Sequence, residues 1–171
     1  VYENTELGTY VNYDLLVETY TEGVDGRTLF ELLGRSTIQN YDLTYYVDGK
    51  ETDLDKDLLV RSNTSDIGAT GNGVLTQVFV DHDTNDGEII ITSINTYLAQ
   101  AVNDYSTTNE YATLRVYTNV DSANQVLTST YNVDVADVPN VADVTADTFY
   151  AVNLSYKNDA TYGEVAKIDD V

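Results

Sequence analysis

Residues 73–101, GVLTQVFVDHDTNDGEIIITSINTYLAQA, constrain the fold of this chain more than any other stretch. Two β-patterned runs flank an acidic turn, Asp81-His82-Asp83-Thr84-Asn85-Asp86-Gly87. The first run, 74–80, mixes apolar residues with Thr76 and Gln77. The second opens at Glu88 and continues through Ile89, Ile90 and Ile91. β-Branched side chains suit a pleated, half-buried surface. Asn, Asp and Gly between the runs tolerate positive φ and bond their own backbone. The pattern predicts a long hairpin. Ile89 and Ile91 share one strand face and Ile90 takes the other. A strand apolar on both faces is usually covered on both, so Ile90 is expected to be as buried as its neighbours.

Turn signals recur at short intervals along the rest of the chain, which is the mark of an all-β protein. Residues 9–20 (TYVNYDLLVETY) predict one long or two short strands, and 23–26 a turn. Residues 28–34 (TLFELLG) are the best helix candidate, with Thr28 and Glu31 at capping-box spacing and Gly34 as a stop, and a strand is the alternative because the run is short. Residues 42–47 and the segment after Asp48-Gly49 read as a hairpin, because Asp-Gly supplies the positive φ of a tight turn. Residues 58–61 predict a short strand. Residues 62–73 (SNTSDIGATGNG) are polar and Gly-rich and read as a linker. The pattern over 89–103 is longer than a usual strand and suggests one bent strand serving two sheets. Strands follow over 111–118, 125–133, 148–156 and 162–168, with a loop at 135–146 around Pro139, the one proline. The fold class is therefore all-β: one or two small antiparallel sandwich or barrel modules with little helix. The module boundary is placed near Tyr97, giving a β module at 1–96 and a second at 97–171.

The charge balance excludes some partners. The chain carries 29 Asp and Glu against 8 Lys and Arg, a formal net charge of −21. That field repels nucleic acid and anionic lipid headgroups and attracts cations and basic partners. Solubility alone is the simpler account of it. Without Cys the chain has no disulfide, no thiolate nucleophile and no zinc-thiolate site. No run approaches the ~18 apolar residues of a membrane span. No charged-then-apolar leader opens the chain, which reads as an internal or processed piece of a longer one. Fifteen Tyr stand against three Phe. Tyr joins an apolar ring to a polar tip, which suits half-exposed strands and wet interfaces.

Chemistry-bearing constellations are sparse. The one histidine, His82, cannot build a multi-histidine metal centre and reads as a solvated turn residue. The acidic turn invites comparison with an EF-hand, since Asp81, Asp83 and Asn85 stand at the first, third and fifth positions. The required Gly falls one residue late, at Gly87, and the last position is Thr92 where a bidentate Glu is needed. The EF-hand is rejected. A calcium site of another kind on Asp81, Asp83, Asn85 and Asp86 stays open beside a solvated hairpin tip, because hard cations need only clustered oxygens. Calcium is thus the candidate cofactor. Asp53, Asp55 and Asp57 could in principle pair as glycosidase carboxylates, but a solvated edge is the default. Nothing marks a catalytic centre, and the chain is expected not to be an enzyme.

VLTQVFVDHD followed by IIITSINTYLAQA resembles a stretch recurring in large cell-surface proteins of Gram-positive, clostridia-like bacteria that carry S-layer homology domains elsewhere. DTFYAVNLSYKNDATYGEVAKIDDV is similar to the strand–turn–strand closing the same module. The resemblance covers roughly the last hundred residues and is a pattern of strands and turns. The S-layer homology motif itself is not among these residues. The resemblance implies an extracellular structural module of a cell surface, a piece of a self-assembling S-layer or surface fibre. Stabilisation by calcium is a separate expectation, drawn from the net charge of −21 that cations would relieve in an assembled state. Its partners would be other copies, through strand addition or lattice contacts, with cell-wall or glycan contacts made by domains outside this chain. The alternative from another class is a carbohydrate-binding or adhesin module using Tyr-lined strand faces.

Overall fold

The computed structural model describes residues 2–4, 9–11, 13–67, 74–83, 85–120, 123, 125–156 and 163–171. Among the described residues the protein is mostly strand, with two short α-helices. It divides into two compact units, one of Val1–Asn95 with Tyr156–Thr161, the other of Thr96–Ser155 with Tyr162–Val171.

In the first unit, β1 (Tyr2–Asn4) and β2 (Thr9–Val11) pair with each other antiparallel. A 3-10 turn at Tyr13–Leu15 leads into β3 (Leu16–Tyr20) and then β4 (Val24–Asp25). Helix α1 (Gly26–Leu33) follows, and α2 (Arg35–Asn40) begins after one residue. The break is Gly34, whose φ of 84° ends α1 while its N–H closes onto the Phe30 carbonyl. The helix expected at 28–34 is present, but its cap is not Thr28. Asp25 caps it, accepting from the Thr28 backbone N–H at 2.8 Å and from the Thr28 hydroxyl at 2.6 Å. An acceptor one turn ahead satisfies donors that Thr28, already inside the helix, could not.

β5 (Asp42–Val47) and β6 (Lys50–Thr52) form the expected hairpin, with Asp48 and Gly49 both at positive φ, 50° and 82°. The strand expected at 58–61 does not form. A 3-10 turn at Lys56–Leu58 occupies its start, and the chain then wraps over the beginning of α1. Asn63 fastens it there: its Nδ2 donates to the Leu58 carbonyl, and its carbonyl accepts the Arg27 N–H. A side chain at Gly26 would strike the Leu58 carbonyl oxygen at 1.9 Å, so only glycine admits this crossing. The linker expected over 62–73 is structured at its start. β7 (Asp66–Ile67) pairs with β4, and 68–73 lie outside the described residues.

The long hairpin is β8 (Val74–Asp81) and β9 (Glu88–Ala101), in register from Val74↔Asn95 to Asp81↔Glu88. β3 pairs with β8 antiparallel. β5 lies along the other side of β9 in parallel, from Asp42↔Glu88 to Val47↔Ser93, against the all-antiparallel expectation. One face of this sheet (Tyr45, Val78, Val80, Ile89, Ile91) packs on Leu29, Ile38 and Leu59. On the opposite face Phe79 is buried, edge-on to the Tyr13 ring at 5.5 Å. Ile90 shares that face as the cross-strand neighbour of Phe79. It is only half-buried, not buried like Ile89 and Ile91. Leu29 and Ile38 of the helices cover the first face, while on the second the Tyr13 ring packs on Phe79, whose cross-strand neighbour in β3 is Leu16.

The second unit takes β9 from Thr96 onward, β10 (Tyr111–Val120), β11 (Val126–Asp134), β12 (Phe149–Ser155) and β13 (Glu164–Asp170). Their order is β11-β10-β9-β12-β13, every pairing antiparallel. The inner face alternates as a half-buried sheet should: Ala112, Leu114 and Val116 from β10, Val152 and Leu154 from β12. Val138, Val141 and Val144 of the loop around a 3-10 turn at Pro139–Asp143 add to this core. The end of β11 and the start of β13 face each other across a cleft of about 110 Å³, so the sheet curls toward closure.

Candidate functional site

The acidic turn between β8 and β9 is built by its own side chains. Asp81 Oδ1 accepts the Asp83 N–H at 3.1 Å, and Asp83 Oδ1 accepts the Asn85 N–H at 3.0 Å. These bonds hold the backbone in Asx turns. Thr84 lies outside the described residues. His82 Nδ1 meets the Tyr41 hydroxyl at 2.8 Å. The Tyr41 ring lies so close to Gly87 that a Cβ there would meet it at 2.6 Å. Asp81, Asp83, Asn85 and Asp86 therefore share one turn. Among the described residues, however, no three His, Cys, Asp or Glu side chains converge on a point that could hold a metal ion. Two of the carboxylates face their own backbone instead.

A second feature lies in the same unit and was not anticipated. Helices α1 and α2 and the segment from Lys56 to Ser62 enclose an open cleft of about 880 Å³. Phe30, Ile38 and Leu59 give it apolar walls, and Arg35, Lys56 and Arg61 give it charge. Those are three of only eight cationic residues in the chain. Asp57 is the one acid lining it. The Arg61 guanidinium lies over the Phe30 ring, 5.4 Å from its centroid, a cation–π arrangement. Lys56 Nζ donates to the Tyr41 carbonyl. Among the described residues none of the three is in a salt bridge, whereas Arg27 on the outside of α1 pairs with Glu31 at 3.4 Å. The sequence held one signal for this. Arg27, Arg35, Lys50, Lys56 and Arg61 all fall within 27–61, in a chain otherwise almost without cations.

The third feature is the β11 edge of the second unit. β11 reads VLTSTYNVD and carries no charge before its last residue. Val126, Leu127 and Thr128 are exposed, and β11 has no strand partner but β10 among the described residues. The opposite edge, β13, reads EVAKIDD, and its pairing with β12 is broken by a register shift at Asn153/Leu154. Charges and bulges are the usual protection of an exposed edge. One edge of this sheet has both and the other lacks charge.

The tyrosines do not form an exposed row. Tyr45 is buried with its hydroxyl 3.0 Å from Ser93 Oγ, and the Tyr150 hydroxyl accepts the Thr145 N–H at 3.0 Å. Among the tyrosines whose side chains are described, Tyr13 alone is exposed. No helix among the described residues is long and apolar enough to cross a membrane. No family model, no curated protein and no solved structure matches the chain.

Proposed function

We propose that this chain is a structural, non-catalytic module of a cell surface that assembles with copies of itself into an S-layer or surface fibre. The observation that carries the reading is the uncharged edge at 126–130 of β11. An extended segment can add to such an edge through main-chain hydrogen bonds. The donor in this reading is the N-terminal pair β1 and β2, which bond only to each other among the described residues. An isolated two-stranded hairpin is marginal in water and gains by joining a sheet. With each copy at −21, cations would ease the repulsion between neighbours. Among the tyrosines whose side chains are described Tyr13 alone is fully exposed and the rest are half-buried or buried, which counts against a Tyr-lined glycan face.

Negative-stain electron microscopy of the purified protein tests the reading. Extended polymers or sheets are expected. Placing charge on the edge by Val126→Lys with Thr128→Lys should abolish them and leave a folded monomer. Polymers unchanged in the double variant would overturn the β11 edge as the contact.

A further inference from the structure

We propose that the basic cleft of the first unit docks the acidic β8–β9 turn of a second copy of this chain. The inference rests on the self-assembly reading and assigns it a second contact. Charge complementarity argues for the occupant. Arg35, Lys56 and Arg61 line one cleft, and Asp81, Asp83, Asp86 and Glu88 crowd one turn. Guanidinium groups suit carboxylates because their planar donors can engage both oxygens. The Phe30 ring under Arg61 holds one of them in a fixed orientation.

The two features belong to the same unit and meet at one residue. Tyr41 accepts Lys56 Nζ at its carbonyl, while its hydroxyl contacts His82 and its ring covers Gly87. Cleft and turn thus form one continuous patch, positive at one end and negative at the other. A patch of that kind is self-complementary across a two-fold axis, where each copy offers its turn to the cleft of the other. The Asx bonds that shape the turn use one oxygen each of Asp81 and Asp83. One oxygen on each of Asp81 and Asp83 is therefore left for a partner's cationic group. Asp86 and Glu88 are exposed.

Sedimentation equilibrium of the full chain tests this. Wild type should self-associate, more weakly as NaCl rises. The cleft variant Arg35→Glu/Arg61→Glu and the turn variant Asp83→Lys/Asp86→Lys should each lose about tenfold or more in affinity. All four positions are exposed, and circular dichroism would verify that both variants fold. An equimolar mixture of the two should associate as wild type does, because each reversed cleft then meets a reversed turn. Unchanged association in either variant, or a mixture that stays dissociated, would overturn the inference. Binding of soluble polygalacturonate at the cleft without self-association would overturn it too, by assigning another occupant. Polymers that persist in both variants but vanish in Val126→Lys/Thr128→Lys would sink this contact and leave the assembly reading standing. Wild-type protein monomeric at every concentration would sink both.

Discussion

The buried carboxylate of Asp48 holds Asn95 twice: Oδ1 accepts its backbone N–H at 2.9 Å and Oδ2 accepts Nδ2 at 3.1 Å. The Asp48 N–H in turn bonds the Ser93 carbonyl, so the bonding of β5 to β9 continues past the last paired residues, Val47 and Ser93. One residue makes the positive-φ turn and fastens the strand beside it. Asp48→Asn keeps a side chain that tolerates this backbone but turns one acceptor into a donor facing a donor. A loss of about 1–3 kcal/mol is expected in urea unfolding. Asp48→Ala should lose more, since it adds backbone strain at positive φ. A loss under ~0.5 kcal/mol for Asp48→Asn would place it among ordinary surface changes and deny the carboxylate its fastening role.

Ile89 and Ile90 are adjacent in sequence and unequal in environment. Ile89 is fully buried among the helices, and Ile90 is half-buried beside Phe79. Ile89→Ala should destabilise by about 2–5 kcal/mol, as removal of core atoms does. Ile90→Ala should cost about 1 kcal/mol. Equal losses in paired urea titrations would mean that something covers the outer face as fully as the helices cover the inner one.

The Asp25 cap predicts a pH dependence. The Thr28 hydroxyl and the Thr28 N–H bond its carboxylate and hold its pKa below the usual aspartate value. A group whose pKa is lowered by folding stabilises the fold fully above its unfolded pKa, about 3.9. That contribution is lost as pH falls through the lower folded value. Asp25→Ala should therefore melt below wild type at neutral pH, and the gap should close in acid below that value. Asp25→Ser, which retains a capping oxygen, should fall between the two. A gap independent of pH would show that the charge of the cap contributes nothing.

Cation effects separate a coordinated site from diffuse screening. Asp81, Asp83 and Asp86 do not converge among the described residues. At matched ionic strength, calcium and sodium should therefore raise the melting temperature about equally. A larger calcium effect, abolished by Asp83→Asn with Asp86→Asn, would establish a coordinated site on the turn.

Truncation addresses the strand donor. Removing residues 1–11 deletes β1 and β2 and spares Tyr13, which packs on Phe79. The shortened chain should keep its circular dichroism spectrum and melting temperature while losing extended polymers in electron micrographs. Normal polymers from the truncated chain would exclude the N-terminal strands as connector.

What could be read from the residues alone was local. β-Branched runs on either side of a turn ending in Asn85-Asp86-Gly87 announced β8 and β9, and Asp48-Gly49 announced the β5–β6 turn, because strand propensity and positive φ are properties of a few consecutive residues. The length of the β9 pattern likewise marked one strand long enough for two sets of partners, β8 and β5 before Asn95 and β10 and β12 after it.

Tertiary structure decided whatever depended on distant partners. The parallel placement of β5 beside Ile89–Ser93 follows from burying Tyr45 against Leu29 and Ile38, not from any pattern inside β5. Residues 58–61 have a strand's composition, yet Asn63 and the bare backbone of Gly26 draw them across the start of α1. Ile90 matches its neighbours in sequence, and only the unequal covering of the two sheet faces separates them. Arg35, Lys56 and Arg61 became one cleft through the same packing. The cost of hiding apolar surface from water is settled between segments far apart in the chain, and local propensity yields to it wherever the two conflict.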